Sequence, residues 1–106
     1  IAKSLFSSGT TWAGMMLVDD TRALDYLCSR DDVDKERVGC CGLSGGGLRT
    51  VILAGLDPRI KVSVAVGFMT TLRDLALNHS ANHTWFSYIP QLPRFLDFPE
   101  LLGLRV

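Results

Sequence analysis

The sequence has no net charge and no apolar run long enough to cross a bilayer. A membrane-spanning helix needs about 20 consecutive apolar residues, and the longest apolar runs here are far shorter. The 11 basic and 11 acidic residues are interspersed along the chain, so no basic patch predicts binding to nucleic acid or to an anionic membrane surface. No signal-peptide pattern opens the chain. We therefore expect neither a nucleic acid nor a membrane as a partner.

Cysteine is also scarce. The chain has three cysteines, an odd number without C-x-x-C spacing, which argues against a disulfide framework and against a zinc site. Cys40 and Cys41 are adjacent in a predicted strand, so their side chains should point to opposite faces of the sheet. We expect reduced, buried thiols and no bound metal. With the missing signal peptide, this favours a cytoplasmic location.

A helix is predicted in the first third of the chain. At 106 residues and 47% hydrophobic content, the chain has the composition of one globular unit. Between Thr11 and about Arg30, apolar residues recur at steps of three and four, the pattern of an amphipathic helix that covers a sheet. Thr10 or Thr11 is a suitable N-cap. Asp20 lies close to the apolar stripe, where we expect a partly solvated or paired carboxylate.

A βαβ unit is predicted in the middle of the chain. Residues 37–41 have the pattern of a buried strand, and residues 47–54 can form a helix. This helix should stop near Leu56, because Pro58 disfavours helical geometry at the residue before it. Residues 60–66 are rich in β-branched side chains and form a second strand, parallel to the first. The predicted fold class is α/β, with the preceding helix as a covering layer.

Beyond Gly67 the periodicity is weaker. Residues 70–77 can form a short helix, whereas residues 78–93 mix polar and aromatic side chains with two prolines and resemble a loop or cap. One helical turn is predicted after Pro99. We treat residues 1–106 as a single segment of one domain, in which residues 68–106 form the loop or cap-like region.

The pentapeptide Gly42-Leu43-Ser44-Gly45-Gly46 has the pattern G-x-S-x-G. Between a strand and a helix, this pattern places the serine hydroxyl on a sharp, exposed turn, which makes Ser44 a candidate nucleophile. The backbone N–H of Gly45 would then stabilise the oxyanion. A side chain at Gly42 or Gly46 should collide with the neighbouring strand or helix. The alternative interpretation is a glycine-rich turn that serves tight packing alone.

Phosphate-binding motifs fit the same glycines poorly. Gly42 and Gly47 have the spacing of a G-x-x-x-x-G-K-[ST] loop, but Leu48 occupies the lysine position, so the charge that meets the phosphates is missing. The glycines also do not match the register of G-x-G-x-x-G. We therefore expect no nucleotide cofactor.

Two histidines, His79 and His83, are spaced four residues apart. The zinc-binding pattern H-E-x-x-H requires a glutamate where this chain has Ser80, so we interpret them as ordinary loop histidines. Asp74 followed by His79 or His83 has the order nucleophile, acid, histidine. The spacing fits poorly, however, because the general base must be held within hydrogen-bond reach of Ser44.

A series of short motifs between Trp12 and Thr71 resembles the nucleophile region of α/β-hydrolases, in the acetyl xylan esterase-like and dienelactone hydrolase-like branch. The resembling pieces are DTRALDYL at 20–27, VDKERVG at 33–39, GLSGGG at 42–47 and LDPRI at 56–60. Residues 79–102 resemble, more loosely, the segment that leads to the next strand in that branch.

The resemblance implies a serine hydrolase of carboxylic esters, including carbohydrate acetyl esters. Ser44 matches the nucleophile and Gly45 matches the residue that supplies one oxyanion amide. The acid, the histidine and the second oxyanion donor would come from sequence outside this chain. The resemblance thus implies a partial α/β-hydrolase fold and no metal or cofactor. The alternative is a truncated or noncatalytic α/β module whose sheet edges pair with a completing polypeptide or with a second copy.

Overall fold

The computed structural model describes residues 1–81 and 85–104, in which helices accompany a parallel pair of strands. The helices and strands, in order, are α1 (Ala2–Ser7), α2 (Trp12–Ser29), β1 (Val38–Leu43), α3 (Gly45–Leu56), β2 (Ile60–Val66), α4 (Leu72–Asn78) and α5 (Phe98–Gly103). Short 3-10 turns lie at Lys35–Arg37, Trp85–Ser87 and Leu92–Arg94. In this part of the chain no helix has the length and apolar character needed to span a bilayer.

The predicted βαβ unit is confirmed. β1 and β2 pair in parallel from Val38 opposite Ile60 to Leu43 opposite Val66, with one irregularity after Val38. Parallel strands need a crossover between them, and α3 supplies it. Two parallel strands joined by a helical crossover confirm the predicted α/β class.

Helix α2 covers α3 and begins where the sequence predicted. The side chain of Thr11, rather than that of Thr10, caps the helix, since its Oγ1 accepts a hydrogen bond from the backbone N–H of Gly14 at 2.9 Å. Asp20 is 15% exposed and forms an ion pair with Arg49 of α3, whose Nε donates to Asp20 Oδ2 at 3.0 Å. The expected paired carboxylate is thereby confirmed, and it joins the two helices.

The core has two parts, one at each end of the sheet. The first lies at the carboxyl end of the strands and includes Ala13, Leu48 and Phe68, which pack together with residues of α4 and α5. The second lies at the amino end, where Leu24 of α2 packs with the first residues of the two strands, Val38 and Ile60, and with Ala54. Helix α2 therefore runs from the carboxyl end of the strands to their amino end.

Charged groups reinforce the amino end. Arg59, just before β2, donates from Nη2 to Asp57 Oδ2 at 2.6 Å and from Nη1 to Asp25 Oδ1 of α2 at 2.6 Å. These two carboxylates, Asp57 first, raise the pKa of Arg59 above its usual value. The pairs fix the start of β2 to the second half of α2.

Several predicted boundaries were wrong by one or two residues. β1 extends to Leu43, because Gly42 and Leu43 pair with Ala65 and Val66 despite the poor strand propensity of glycine. α3 starts at Gly45 although glycine has a low helix propensity, because the surrounding structure, rather than the local sequence, stabilises the first turn. α5 starts before Pro99, since Asp97 and Glu100 form a capping box and proline is tolerated in the first turn.

One face of the sheet is covered by α3, and the other is exposed. On the exposed face lie apolar side chains that are between 48% and 70% accessible: Leu43, Val62, Val64 and Val66. Cys40 and Cys41 point to opposite faces, as predicted. All three cysteines are free, but the expectation that they are buried is wrong, because Cys41 lies on the open face and is exposed, and Cys28 and Cys40 are only partly buried.

Candidate active site

Ser44 occupies the junction between β1 and α3 and is solvent-exposed. Its backbone has φ 55° and ψ −114°, a region that non-glycine residues rarely adopt and that costs about 1–3 kcal/mol. Two hydrogen bonds hold this conformation. The N–H of Ser44 donates to the carbonyl of Val66 at 2.7 Å, and its carbonyl accepts from Leu48 N–H at 3.1 Å. The scaffold thus maintains a strained turn at the predicted nucleophile.

The glycines around Ser44 allow the chain to turn this tightly. A Cβ added at Gly42 would lie 2.2 Å from the carbonyl oxygen of Gly46, and one added at Gly47 would lie 2.9 Å from Phe68 Cβ. The prediction of a collision is confirmed for Gly42. It is wrong for Gly46, where an added Cβ would meet no heavy atom within 4 Å. The backbone of Gly46, rather than its side-chain position, faces Gly42. The sequence did not indicate the tight contact between Gly47 and Phe68.

Gly45 is the first residue of α3, at the positive end of the helix dipole. The first N–H groups of a helix have no acceptor within the helix and are directed outward, and the dipole favours negative charge beside them. A Cβ added at Gly45 would lie 3.4 Å from Cζ of Phe86, so the Phe86 ring borders the predicted oxyanion donor. In the sequence, the only indication of this contact is the aromatic character of residues 85–88.

A cavity of about 220 Å³ lies at the carboxyl end of β2. It is bounded by the segment that follows the strand and by α4, with these lining residues: Gly67, Phe68, Met69, Thr70, Asp74, Leu75 and His79. Gly67 has φ +63°, and a Cβ added to it would lie 3.4 Å from Leu43 Cδ1 and 3.8 Å from Ser44 N. Gly67 therefore forms a wall shared by the cavity and the turn that carries Ser44.

Asp74 and His79, an acid and histidine pair that the sequence spacing disfavoured as partners of Ser44, both line the cavity. His79 Nε2 lies 3.5 Å from Asp74 Oδ2. The carboxylate also accepts from Asn78 Nδ2 at 2.6 Å and from Thr70 Oγ1 at 3.3 Å. The Asn78 amide first, and then the His79 charge and Thr70, hold the pKa of Asp74 below its usual value. The alternative histidine, His83, lies outside the described residues.

Cys40 is a poor nucleophile in this setting. It lines a second cavity, of about 250 Å³, together with the Asp20 and Arg49 pair. Burial is the main cause that raises the pKa of the Cys40 thiol, and a raised pKa leaves less of the reactive thiolate at neutral pH. Within residues 1–81 and 85–104, no three His, Cys, Asp or Glu side chains are grouped as they would be around a metal ion.

Several known proteins have sequences similar to this one. Residues 10–89, which include both strands, Ser44 and the cavity, match the family described as acetyl xylan esterase (AXE1). Over 105 residues the chain is 35% identical to the "Putative hydrolase YtaP" of Bacillus subtilis, covering 98% of this chain and 35% of that protein. Over 44 residues it is 48% identical to the "Acetyl esterase Axe7A" of Xylanibacter ruminicola, covering 42% of this chain and 10% of that protein.

The chain therefore spans about a third of the length of the first relative and a tenth of the second. No solved structure matches it significantly. The family match covers most of the chain and includes the strand, turn and helix that present Ser44. We conclude that the chain belongs to the acetyl xylan esterase (AXE1) family and is part of an α/β-hydrolase fold.

Proposed function

We propose that this chain carries the nucleophile of a serine esterase that cleaves carboxylic esters. The observation that carries the proposal is the backbone of Ser44, which is held at positive φ between a strand and a helix. A strained, solvent-exposed serine at such a junction is the arrangement that esterases with a G-x-S-x-G turn use. A turn selected for packing alone would gain nothing from a strained serine, because glycine adopts the same conformation without the cost.

In the proposed reaction, Ser44 Oγ attacks the ester carbonyl carbon. The hydroxyl proton passes to a histidine, and the carbonyl oxygen becomes an oxyanion beside the Gly45 N–H. The carbon–oxygen bond to the alcohol then breaks, and the alcohol leaves with the proton from the histidine. Water hydrolyses the acyl-enzyme by the same steps. The histidine, its acid partner and the second oxyanion donor come from sequence outside this chain, and no step uses a metal or a cofactor.

The names of the relatives support an acetyl ester as the substrate. One relative is called an acetyl esterase, and the family is described by acetyl xylan. We therefore propose that the substrate is an acetyl ester of a carbohydrate or of another small alcohol.

The test is covalent labelling of the full-length protein that contains this chain. A fluorophosphonate probe should add its phosphonyl group to Ser44, as identified by peptide mass spectrometry, and 4-nitrophenyl acetate should be hydrolysed. Ser44→Ala should abolish labelling and lower kcat by about 10⁴-fold or more. Ser29→Ala is the matched control, because Ser29 is exposed at the far end of α2 and bonds only to Tyr26 O among the described contacts. Labelling that persists in Ser44→Ala would refute the assignment.

A second candidate is a noncatalytic module that associates with a completing polypeptide or with itself. It is favoured by the exposed apolar face of the sheet, since parallel sheets are normally covered on both faces. This candidate predicts that the full-length protein takes up no probe while the 106-residue chain sediments as a dimer or larger species. A labelled Ser44 would exclude it.

A further inference from the structure

We propose that Asp20 and Arg49 are positioning residues for ester cleavage, because their ion pair holds the first turn of α3, which carries the N–H of Gly45. In this role neither side chain contacts the substrate, and both act through the backbone of α3. The assignment rests on the proposed function, since it needs Ser44 as the nucleophile and Gly45 as the oxyanion donor.

The first turn of α3 has little stability of its own. Gly45, Gly46 and Gly47 follow one another there, and glycine disfavours a helix because it loses more backbone entropy on folding than any other residue. Contacts with the rest of the fold must therefore fix the directions of the N–H groups in this turn. On one side, Gly42 of β1 lies against the backbone of Gly46, and Phe68 supports the next residue.

The ion pair is a further support of the same turn. Arg49 is the fifth residue of α3, and its Nε donates to Asp20 Oδ2 at 3.0 Å while its Nη2 donates to Oδ1. Gly46 lines the same cavity as these two side chains, so the pair lies beside the glycine turn. A backbone hydrogen bond joins residues four apart in a helix. A restraint on Arg49 therefore reaches Gly45.

The form of the pair suits a positioning role. Two parallel hydrogen bonds between a guanidinium and a carboxylate fix the orientation of the groups as well as their separation. The Asp20 side chain is 15% exposed and that of Arg49 is 46% exposed, so the carboxylate is largely shielded from water. A partly exposed pair contributes little to stability. Its effect should therefore appear mainly in the geometry of the turn that it holds.

Ester cleavage is sensitive to small displacements of an oxyanion donor. A misplacement of about 1 Å can lower a rate by about 10²-fold, and removal of one donor lowers kcat by about 10²- to 10³-fold. Loss of the pair shifts the turn but leaves the Gly45 N–H in the protein. The loss of rate should thus be smaller than for removal of the donor, and it should fall on the transition state, where the oxyanion forms.

The test measures transition-state stabilisation in the full-length protein. Asp20→Ala and Arg49→Ala should each lower kcat/KM for 4-nitrophenyl acetate by about 10- to 100-fold. Each should weaken inhibition by a trifluoromethyl ketone by a similar factor. Ser44 Oγ adds to the ketone carbon, the hydroxyl proton passes to the histidine, and the ketone oxygen becomes an oxyanion at the same place. The double variant should lose no more activity than Arg49→Ala, because both side chains act through one contact.

Arg59→Ala is the matched control. Arg59 also pairs with a carboxylate of α2, that of Asp25, but it lies at the amino end of the sheet. This variant should lower the urea denaturation midpoint about as much as Arg49→Ala does, and should keep kcat/KM within about 3-fold of the unmodified protein. Arg49→Lys keeps the charge without the two parallel bonds, so its loss should be about 3- to 10-fold. It supplies the comparison if Arg49→Ala does not fold.

The outcomes separate the two proposals. Parallel losses of kcat/KM and of ketone affinity, with a double variant no worse than Arg49→Ala, support the positioning role. Unchanged kcat/KM in Arg49→Ala, additive losses in the double variant, or an equal loss in Arg59→Ala overturn it while the role of Ser44 stands. If the unmodified protein neither hydrolyses 4-nitrophenyl acetate nor takes up a fluorophosphonate, the proposed function fails, and the positioning role fails with it.

Discussion

The amino end of the sheet and its carboxyl end are stabilised in different ways. At the amino end, Leu24, Val38 and Ile60 pack together, and Arg59 bridges two carboxylates. At the carboxyl end, Ser44 adopts a strained backbone conformation beside an open cavity lined by charged and polar groups. The first arrangement has satisfied charges and ordinary backbone geometry. The second contains a strained, exposed serine.

This difference shows that the strained backbone lies at the carboxyl end of the sheet, where neighbouring elements hold it in place. A residue in a rare backbone region persists only when the surrounding structure fixes it, and here β2 and α3 fix Ser44 through hydrogen bonds at 2.7 Å and 3.1 Å. Functional sites commonly reduce stability in this way. Substitutions at Ser44 should therefore change activity and, where they relieve the strain, raise stability, whereas substitutions at the glycines that allow the turn, and at the amino end, should lower stability.

The largest effect is expected at Gly42, where the strand meets the first turn of α3. In Gly42→Ala the new Cβ would lie 2.2 Å from the carbonyl oxygen of Gly46, so the backbone of the turn must move. We expect a loss of more than about 3 kcal/mol in the free energy of unfolding, or no folded protein. Urea denaturation of the full-length protein measures it. An unchanged denaturation midpoint would show that the tight turn is not needed.

Relief of strain at Ser44 should raise stability. Ser44→Gly removes the side chain that makes positive φ costly, while Ser44→Ala keeps a Cβ and therefore the strain. We expect the glycine variant to be more stable than the alanine variant by about 1 kcal/mol, after allowing for the greater unfolded-state entropy of glycine. Both variants should be inactive. Equal denaturation midpoints would contradict the claim that this backbone is strained.

At the amino end, Arg59→Ala should lower stability without changing catalysis. The substitution removes both ion pairs to Asp25 and Asp57. These groups are partly exposed, so we expect a small fall in the urea denaturation midpoint and an unchanged kcat/KM for 4-nitrophenyl acetate. Arg73→Ala, on an exposed position of α4, is the control. A fall in kcat/KM for Arg59→Ala would mean that the two ends of the sheet are coupled.

The smallest effect is expected at Gly46, two residues after Ser44. An added Cβ would meet no heavy atom within 4 Å, and alanine is a better helix former than glycine by about 1 kcal/mol in a helix interior. Near the helix start we expect Gly46→Ala to gain about 0.5 kcal/mol in denaturation experiments. Comparison of Gly46→Ala with Gly42→Ala shows which of the two glycines is needed for the close approach of the strand to the first turn of α3.

The sequence predicted the elements that local patterns define. The β-branched run at 60–66 gave the bounds of β2, and the Thr11 cap with apolar spacing gave α2 to within one residue. The end of β1 and the start of α3 could not be predicted from Gly42 and Gly45, because glycine favours neither a strand nor a helix. At these positions the structure depends on pairing with β2 and on packing around α3.

For the candidate site, the sequence indicated single residues but not their neighbours. The G-x-S-x-G pattern pointed to Ser44 and Gly45, and their roles in catalysis stay predictions. The contact of Phe86 with Gly45 and the approach of Gly67 to Ser44 depend on how distant segments fold over the strand ends. No periodicity encodes such contacts. Asp74 and His79 have the order acid, then histidine in the sequence, but only the structure shows that the two side chains meet.

The hydrogen bond from Ser44 N–H to Val66 has a consequence for the motions of the site. It continues the ladder between β1 and β2 by one residue into the turn, so the backbone of Ser44 moves with the sheet rather than with the loops around it. Local opening events in proteins follow cooperative units, and this bond places Ser44 in the same unit as the strands. Thermal fluctuations of the segment after Gly67 can then reshape the space beside Ser44 while the backbone of Ser44 keeps its position on the sheet.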